Sequence, residues 1–118
     1  MKIEKLDGLD IVQINSNTVL MTDVQSTLDF AMTVFSETNI NKFIVKKDIF
    51  SEDFFELKTK KLGDSFQKLF TYGFKLVVVG NFLNYKNKSL SDFIKEANRG
   101  KDFAFLSSRE EAIIFLSK

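Results

Sequence analysis

The spacing of apolar positions changes several times along the chain, and each change marks an element. "KIEKLDGLDIVQIN" holds two short apolar-rich runs on either side of Asp7-Gly8. Asp-Gly suits the positive φ angles of a type I′ turn, so the stretch predicts a β-hairpin. The period then lengthens. Val24, Leu28, Ala31, Met32 and Phe35 fall at helical spacing, and Thr22 with Gln25 forms the capping box expected before a helix of about 15 residues. "KFIVKK" returns to a strand after the turn-like "TNIN".

"SEDFFELKTKKLGDSFQKLFTYG" reads as helical, with Ser51 at the cap and Glu52 and Asp53 placed favourably against the helix dipole. Gly63 interrupts this pattern, which leaves one helix or two, and Phe66, Leu69 and Phe70 form its later apolar stripe. "FKLVVVG" is a continuous apolar run, as in a strand buried on both faces, so Val77, Val78 and Val79 are expected in the middle of the sheet. "SLSDFIKEANRG" predicts a helix capped by Ser89 with Asp92, burying Leu90, Phe93, Ile94 and Ala97 and stopping at Gly100. "DFAFLSS" is a last strand. "SREEAIIFLSK" is a closing helix, capped by Ser107 with Glu110 or by Ser108 with Glu111.

The order is ββαβαβαβα. Strands alternating with helices imply parallel units joined by right-handed crossovers. The expected fold class is α/β: one five-stranded, mixed, mostly parallel sheet with an N-terminal β-hairpin and about four helices on both sides. With 118 residues the chain is expected to form a single domain, 1–118.

Composition acts mainly by exclusion. There is no Cys, which removes disulfides and thiolate chemistry, and no His, which removes the commonest base and metal ligand. Asp48, Glu52, Asp53 and Glu56 cluster in sequence but lack the spacing of a cation-binding loop, and first-turn carboxylates ordinarily complement a helix dipole. No catalytic residue, metal or cofactor is therefore expected. The net charge is +1 and the chain has only two arginines, which argues against a nucleic-acid partner. Lys58, Lys60, Lys61 and Lys68 read as a solvated face, and Lys46-Lys47 as a possible anion contact at a strand end. No apolar run approaches the ~20 residues of a membrane span. "MKIEKLDGLD" lacks the apolar centre of a signal peptide, so a cytoplasmic location is expected.

One stretch suggests a nucleotide. In "KLVVVGNFLNYKNKSLSDF" a strand, a glycine, a loop and Lys88-Ser89 follow one another. A phosphate loop needs glycine at the first and sixth of its eight positions, so that backbone N–H groups can wrap the phosphates. Counting back from Lys88 those positions are Phe82 and Asn87. Gly80 then ends a strand and Ser89 caps a helix.

The aromatics carry more. Phe50, Phe54, Phe55, Phe82 and Tyr85 lie in or beside two βα loops. In a parallel sheet both loops emerge at the C-terminal edge of the strands, where open α/β sheets bind ligands. Phe50, Ser51, Phe54, Phe55, Asn81, Phe82, Tyr85, Lys88 and Ser89 form the candidate interaction edge, with Phe50, Phe82 and Tyr85 expected to be partly exposed. The expected function is a non-enzymatic protein-interaction or regulatory module, binding a partner protein or itself as a homodimer. The alternative is a small-molecule or lipid-binding domain with an apolar pocket at the same edge.

"FSEDFFELKTKKLGDSFQKL", "KLVVVGNF" and "KSLSDFIKEANRG" together resemble the bacterial domain-of-unknown-function family 4180, over nearly the whole chain. The resemblance implies no particular biochemical activity. The element order is also similar to the STAS-like fold of anti-sigma-factor antagonists and sulfate-transporter tails. That likeness implies docking through the start of the helix after the third strand, where those proteins carry a phosphorylatable Ser. The matching place is "KKDIFSEDFF", with Ser51 as the nearest hydroxyl. The usual Asp-Ser-Ser/Thr-Gly run is absent, and Glu52 and Asp53 would repel a phosphate there.

Overall fold

The computed structural model describes residues 1–118. β1 (Lys2–Lys5) and β2 (Val12–Asn15) are antiparallel, and β3 (Lys42–Lys46), β4 (Lys75–Val79) and β5 (Phe103–Leu106) continue the sheet in parallel. The helices are α1 (Val24–Thr38), α2 (Lys61–Thr71), α3 (Lys88–Arg99) and α4 (Arg109–Leu116). The spatial order β1-β2-β3-β4-β5 is the order in sequence. Three crossovers stepping the same way with one hand must place their helices on one face.

The two cores reflect this. Val12, Ile14, Phe43, Val45, Leu76, Val78 and Phe105 pack against α1, α2 and Leu90 of α3. On the other face Ile44, Val77 and Ala104 pack against Ala112, Phe115 and Leu116 of α4. The order never reverses, so the sheet lacks the switch-point crevice of doubly wound folds.

Several local expectations are corrected. The hairpin turn is not type I′: Leu9 N–H donates to Leu6 C=O, and Gly8 alone takes a positive φ, of 73°. That geometry fits a type II turn, with glycine third. α1 is capped by Asp23, whose carboxylate accepts from Ser26 N–H at 2.8 Å while Ser26 Oγ accepts from Asp23 N–H at 3.1 Å. Its buried residues are Thr27, Phe30, Ala31 and Val34, whereas Met32 and Phe35 are each 40% exposed. After β3 the chain forms short 3-10 turns rather than a Ser51-capped α-helix. α2 starts after Lys60, which takes φ 62°, so the break falls there and Gly63 lies inside the helix. Phe70 points outward. β4 is paired on both sides, with Val77 and Val78 fully buried, but β3 holds the centre of the sheet. α3 is capped by Asn87 and not Ser89; Asn87 Oδ1 accepts from Ser89 N–H at 2.8 Å and Leu90 N–H at 3.2 Å. Leu90 is buried and Phe93, Ile94 and Ala97 are half-buried. α4 uses Ser108, whose Oγ accepts from Glu111 N–H.

Candidate interaction edge

Parallel pairing of β3 and β4 brings the segments that follow them to one edge. Phe55 stacks obliquely on Tyr85 at 5.4 Å between centroids and lies 6.2 Å from Phe82. Phe82 meets Phe105 of β5 edge-on at 5.4 Å. Tyr85 Oη donates to Glu52 Oε1 at 3.2 Å, and Lys47 Nζ sits 4.8 Å over the Tyr85 ring. These contacts tie the two loops into one surface.

The aromatics divide into two layers. Phe50, Phe54 and Phe55 are buried, so the expectation of a partly exposed Phe50 is corrected. The cause is a pairing the sequence does not announce. Leu20 and Met21 N–H donate to Ile49 C=O, and Ser51 N–H donates to Met21 C=O. The segment before α1 thus covers the segment after β3, and its aromatics turn into the core. Phe82 and Tyr85 are half-buried, as expected. They lean on the lower layer.

Leu83 is the residue that pattern reading overlooks. It is 90% exposed. It is not loose: Leu83 N–H donates to Asn81 Oδ1 at 3.0 Å, and Tyr85 N–H donates to Phe82 C=O at 3.3 Å. Its one signal in sequence is a lone leucine in an otherwise polar loop beside an aromatic. Between this loop, α3, the end of β5 and the start of α4 lies an open groove of about 830 Å³. Phe82, Leu83, Ile94 and Leu106 supply apolar walls, with Lys95 and Glu111 on the rim.

A family profile decides the identity. The family described as Domain of unknown function (DUF4180) matches residues 6–116. The chain belongs to DUF4180. No curated protein matches it significantly in sequence. Among solved structures, the DUF4180 chain is similar to a Thermotoga maritima protein named as a candidate anti-sigma factor antagonist. The identity is 12%, the coverage 99% of this chain and 94% of that one, and the TM-score 0.52. At that identity the likeness concerns the fold. The α/β, STAS-like arrangement expected from the sequence is the one found.

The remaining candidate residues of this edge are engaged locally. Ser51 Oγ donates to Asp53 Oδ1 at 2.5 Å, and Asp53 Oδ2 accepts from Lys61 Nζ at 2.6 Å. Lys61 and then Ser51 hold the Asp53 carboxyl below the usual carboxylate range. Lys61 also donates to Thr22 C=O at 2.8 Å, so it is a strut between α2 and the start of α1 rather than part of a free basic face. Lys88 pairs with Asp92 on the α3 surface at 3.2 Å, and Ser89 is exposed. The Ser89 and Leu90 N–H groups, which a phosphate would need, are already bound to Asn87. No group of three or more Asp or Glu side chains is placed to hold a metal ion.

Gly80 has a different role from phosphate binding. A Cβ there would stand 2.8 Å from Lys47 Cβ, so the glycine lets the Lys47 stem cross the end of β4 and reach Tyr85. The Tyr85 hydroxyl, helped by Glu52 and Asp48, holds the Lys47 ammonium above the usual lysine range. Gly80→Ala is expected to cost about 1–3 kcal/mol by overpacking and to displace Lys47 from Tyr85. Urea denaturation reads the first effect. Tyr85 fluorescence reads the second, and an unchanged stability would contradict the close approach.

Proposed function

We propose that this DUF4180 domain is a non-enzymatic regulatory module, cytoplasmic, that presents the loop after β4 to a partner protein. The observation that carries the reading is Leu83: an ordered apolar side chain held out in water beside half-buried aromatics. Such a side chain contributes nothing to the monomer's core, and exposed apolar clusters of this kind mark interaction sites. The Asp23, Asp53 and Glu111 carboxyls are lowered by their hydrogen bonds to Ser26, to Lys61 and Ser51, and to Ser107 and Ser108, and Lys47 is raised by Tyr85, so these groups are held charged by local contacts. A fold shared with a candidate anti-sigma factor antagonist fits a regulatory partner.

The groove's volume also suits a small apolar ligand, which is the second reading. The exposed Leu83 on its wall favours a protein surface laid across it.

Leu83→Ser separates these readings. It is a surface change, so stability should stay within about 0.5 kcal/mol of the parent. Capture of the partner from the native host should fall at least about tenfold, the effect of losing roughly 1.4 kcal/mol of binding. Retention of every partner by a folded Leu83→Ser variant would refute the proposal. Tight binding of a fatty acid or similar apolar probe by both forms would favour the second reading.

A further inference from the structure

The sheet has two outer strands, and they are protected in different ways. β1 carries Lys2, Glu4 and Lys5, and charge on an edge strand discourages pairing with another chain. β5 reads Phe-Ala-Phe-Leu and carries no charge at all. An uncharged edge strand of apolar and aromatic residues offers its outward backbone groups for strand addition unless something covers them.

The hydrogen bonds show which of its groups face out. Asp102 C=O accepts from Leu76 N–H and Leu106 C=O accepts from Gly80 N–H, so these residues point inward to β4. Alternation along a parallel strand then turns the backbone of Phe103, Phe105 and Ser107 outward. At the middle of that row Asn98 of α3 takes both groups of Phe105. Its Oδ1 accepts from Phe105 N–H at 2.7 Å, and its Nδ2 donates to Phe105 C=O at 3.2 Å. The side-chain amide occupies the place that a neighbouring strand's peptide group would take.

We infer that Asn98 acts as a stand-in strand that closes the β5 edge against pairing with the β5 edge of a second copy of this chain. A two-fold arrangement centred on Phe105 would pair Phe105 with Phe105 and Phe103 with Ser107 in antiparallel register, which an isologous contact allows. With Asn98 in place the central pair of groups is taken, and the outer residues cannot form a continuous ladder. The inference is independent of the loop after β4, because it concerns backbone groups on the outer side of β5.

Two measurements test it. In the wild type, hydrogen exchange at the Phe105 amide should be at least about tenfold slower than at the Phe103 amide, which faces the same side without this partner. Sedimentation of Asn98→Ala over a concentration series should show self-association at least about tenfold tighter than the wild type. Asn98→Ser, which fills only one of the two positions, should shift in the same direction and serves if the alanine variant does not fold. Equal exchange at Phe103 and Phe105 in the wild type would overturn the inference. So would folded Asn98 variants that associate no more than the wild type.

Discussion

Phe54→Ala lowers the stability of the fold by about 3–5 kcal/mol, the range for removing a buried aromatic ring. The ring is fully buried and sits 5.1 Å from Phe50 in the larger core. The 3-10 turn that carries it is short, so the surroundings have little freedom to close over the void. Domains of this size are stable by only about 5–15 kcal/mol, so the loss is a large fraction of the total. Urea denaturation should show a much lower midpoint with an unchanged slope. A variant with parental stability that had lost a binding partner would return Phe54 to the interaction surface and remove it from the core.

Phe82→Ser combined with Tyr85→Ser should cost about 2–4 kcal/mol, counting half the transfer free energy of each ring plus lost aromatic contacts. Both rings rest on Phe55, Phe82 also rests on Phe105, and Tyr85 supports Lys47 and Glu52. The double variant should therefore melt earlier while remaining cooperative, and it should also lose partner capture. A comparison with Leu83→Ser gives the pair its meaning. Leu83 has no core role, so its loss reads binding alone, whereas the aromatic pair reads binding and support together. An aromatic double variant as stable as the parent would show that these rings do not hold the loop.

The periodic parts of the sequence predicted the fold well, because burial there follows a single rule. "FKLVVVG" and "KFIVKK" became interior strands since only a strand buried on both faces tolerates such runs. Helix phase was harder. α1 lies on the sheet and beside α2, so its buried arc is set by two neighbours, and Met32 and Phe35 fall at its rim. Cap positions failed where two suitable residues stood close together. Asn87 precedes Ser89 and wins by satisfying two N–H groups at once. The break at Lys60 left no sequence signal, because a lysine in the left-handed region is costly and is held there by its surroundings.

The candidate edge was half readable for a related reason. Its location follows from parallel connectivity, which sequence order supplies. The depth of each aromatic does not, since Phe50 is bridged by Met21, some thirty residues earlier in the chain, and Phe55 lies under Phe82 and Tyr85 of the next loop. No local pattern encodes that cover. Leu83 was overlooked for the converse reason: an apolar residue in a loop is ordinarily assumed to tuck inward.

The sequential strand order has a consequence for how the chain acquires its structure. Each strand from β2 to β5 pairs first with the strand made just before it, so the sheet can grow at one edge as residues leave the ribosome. Each new pairing closes only the loop made by one connecting helix, which limits the closure cost of each step, yet parallel pairing across a helix is slower than the local contacts of a helical bundle. The exception is α4, made after all five strands and needed to cover Ile44, Val77 and Ala104. Until it docks, one face of a nearly finished sheet is bare and open to misassociation. The docking of the eight-residue helix Arg109–Leu116 therefore closes the interval in which a new molecule is most exposed.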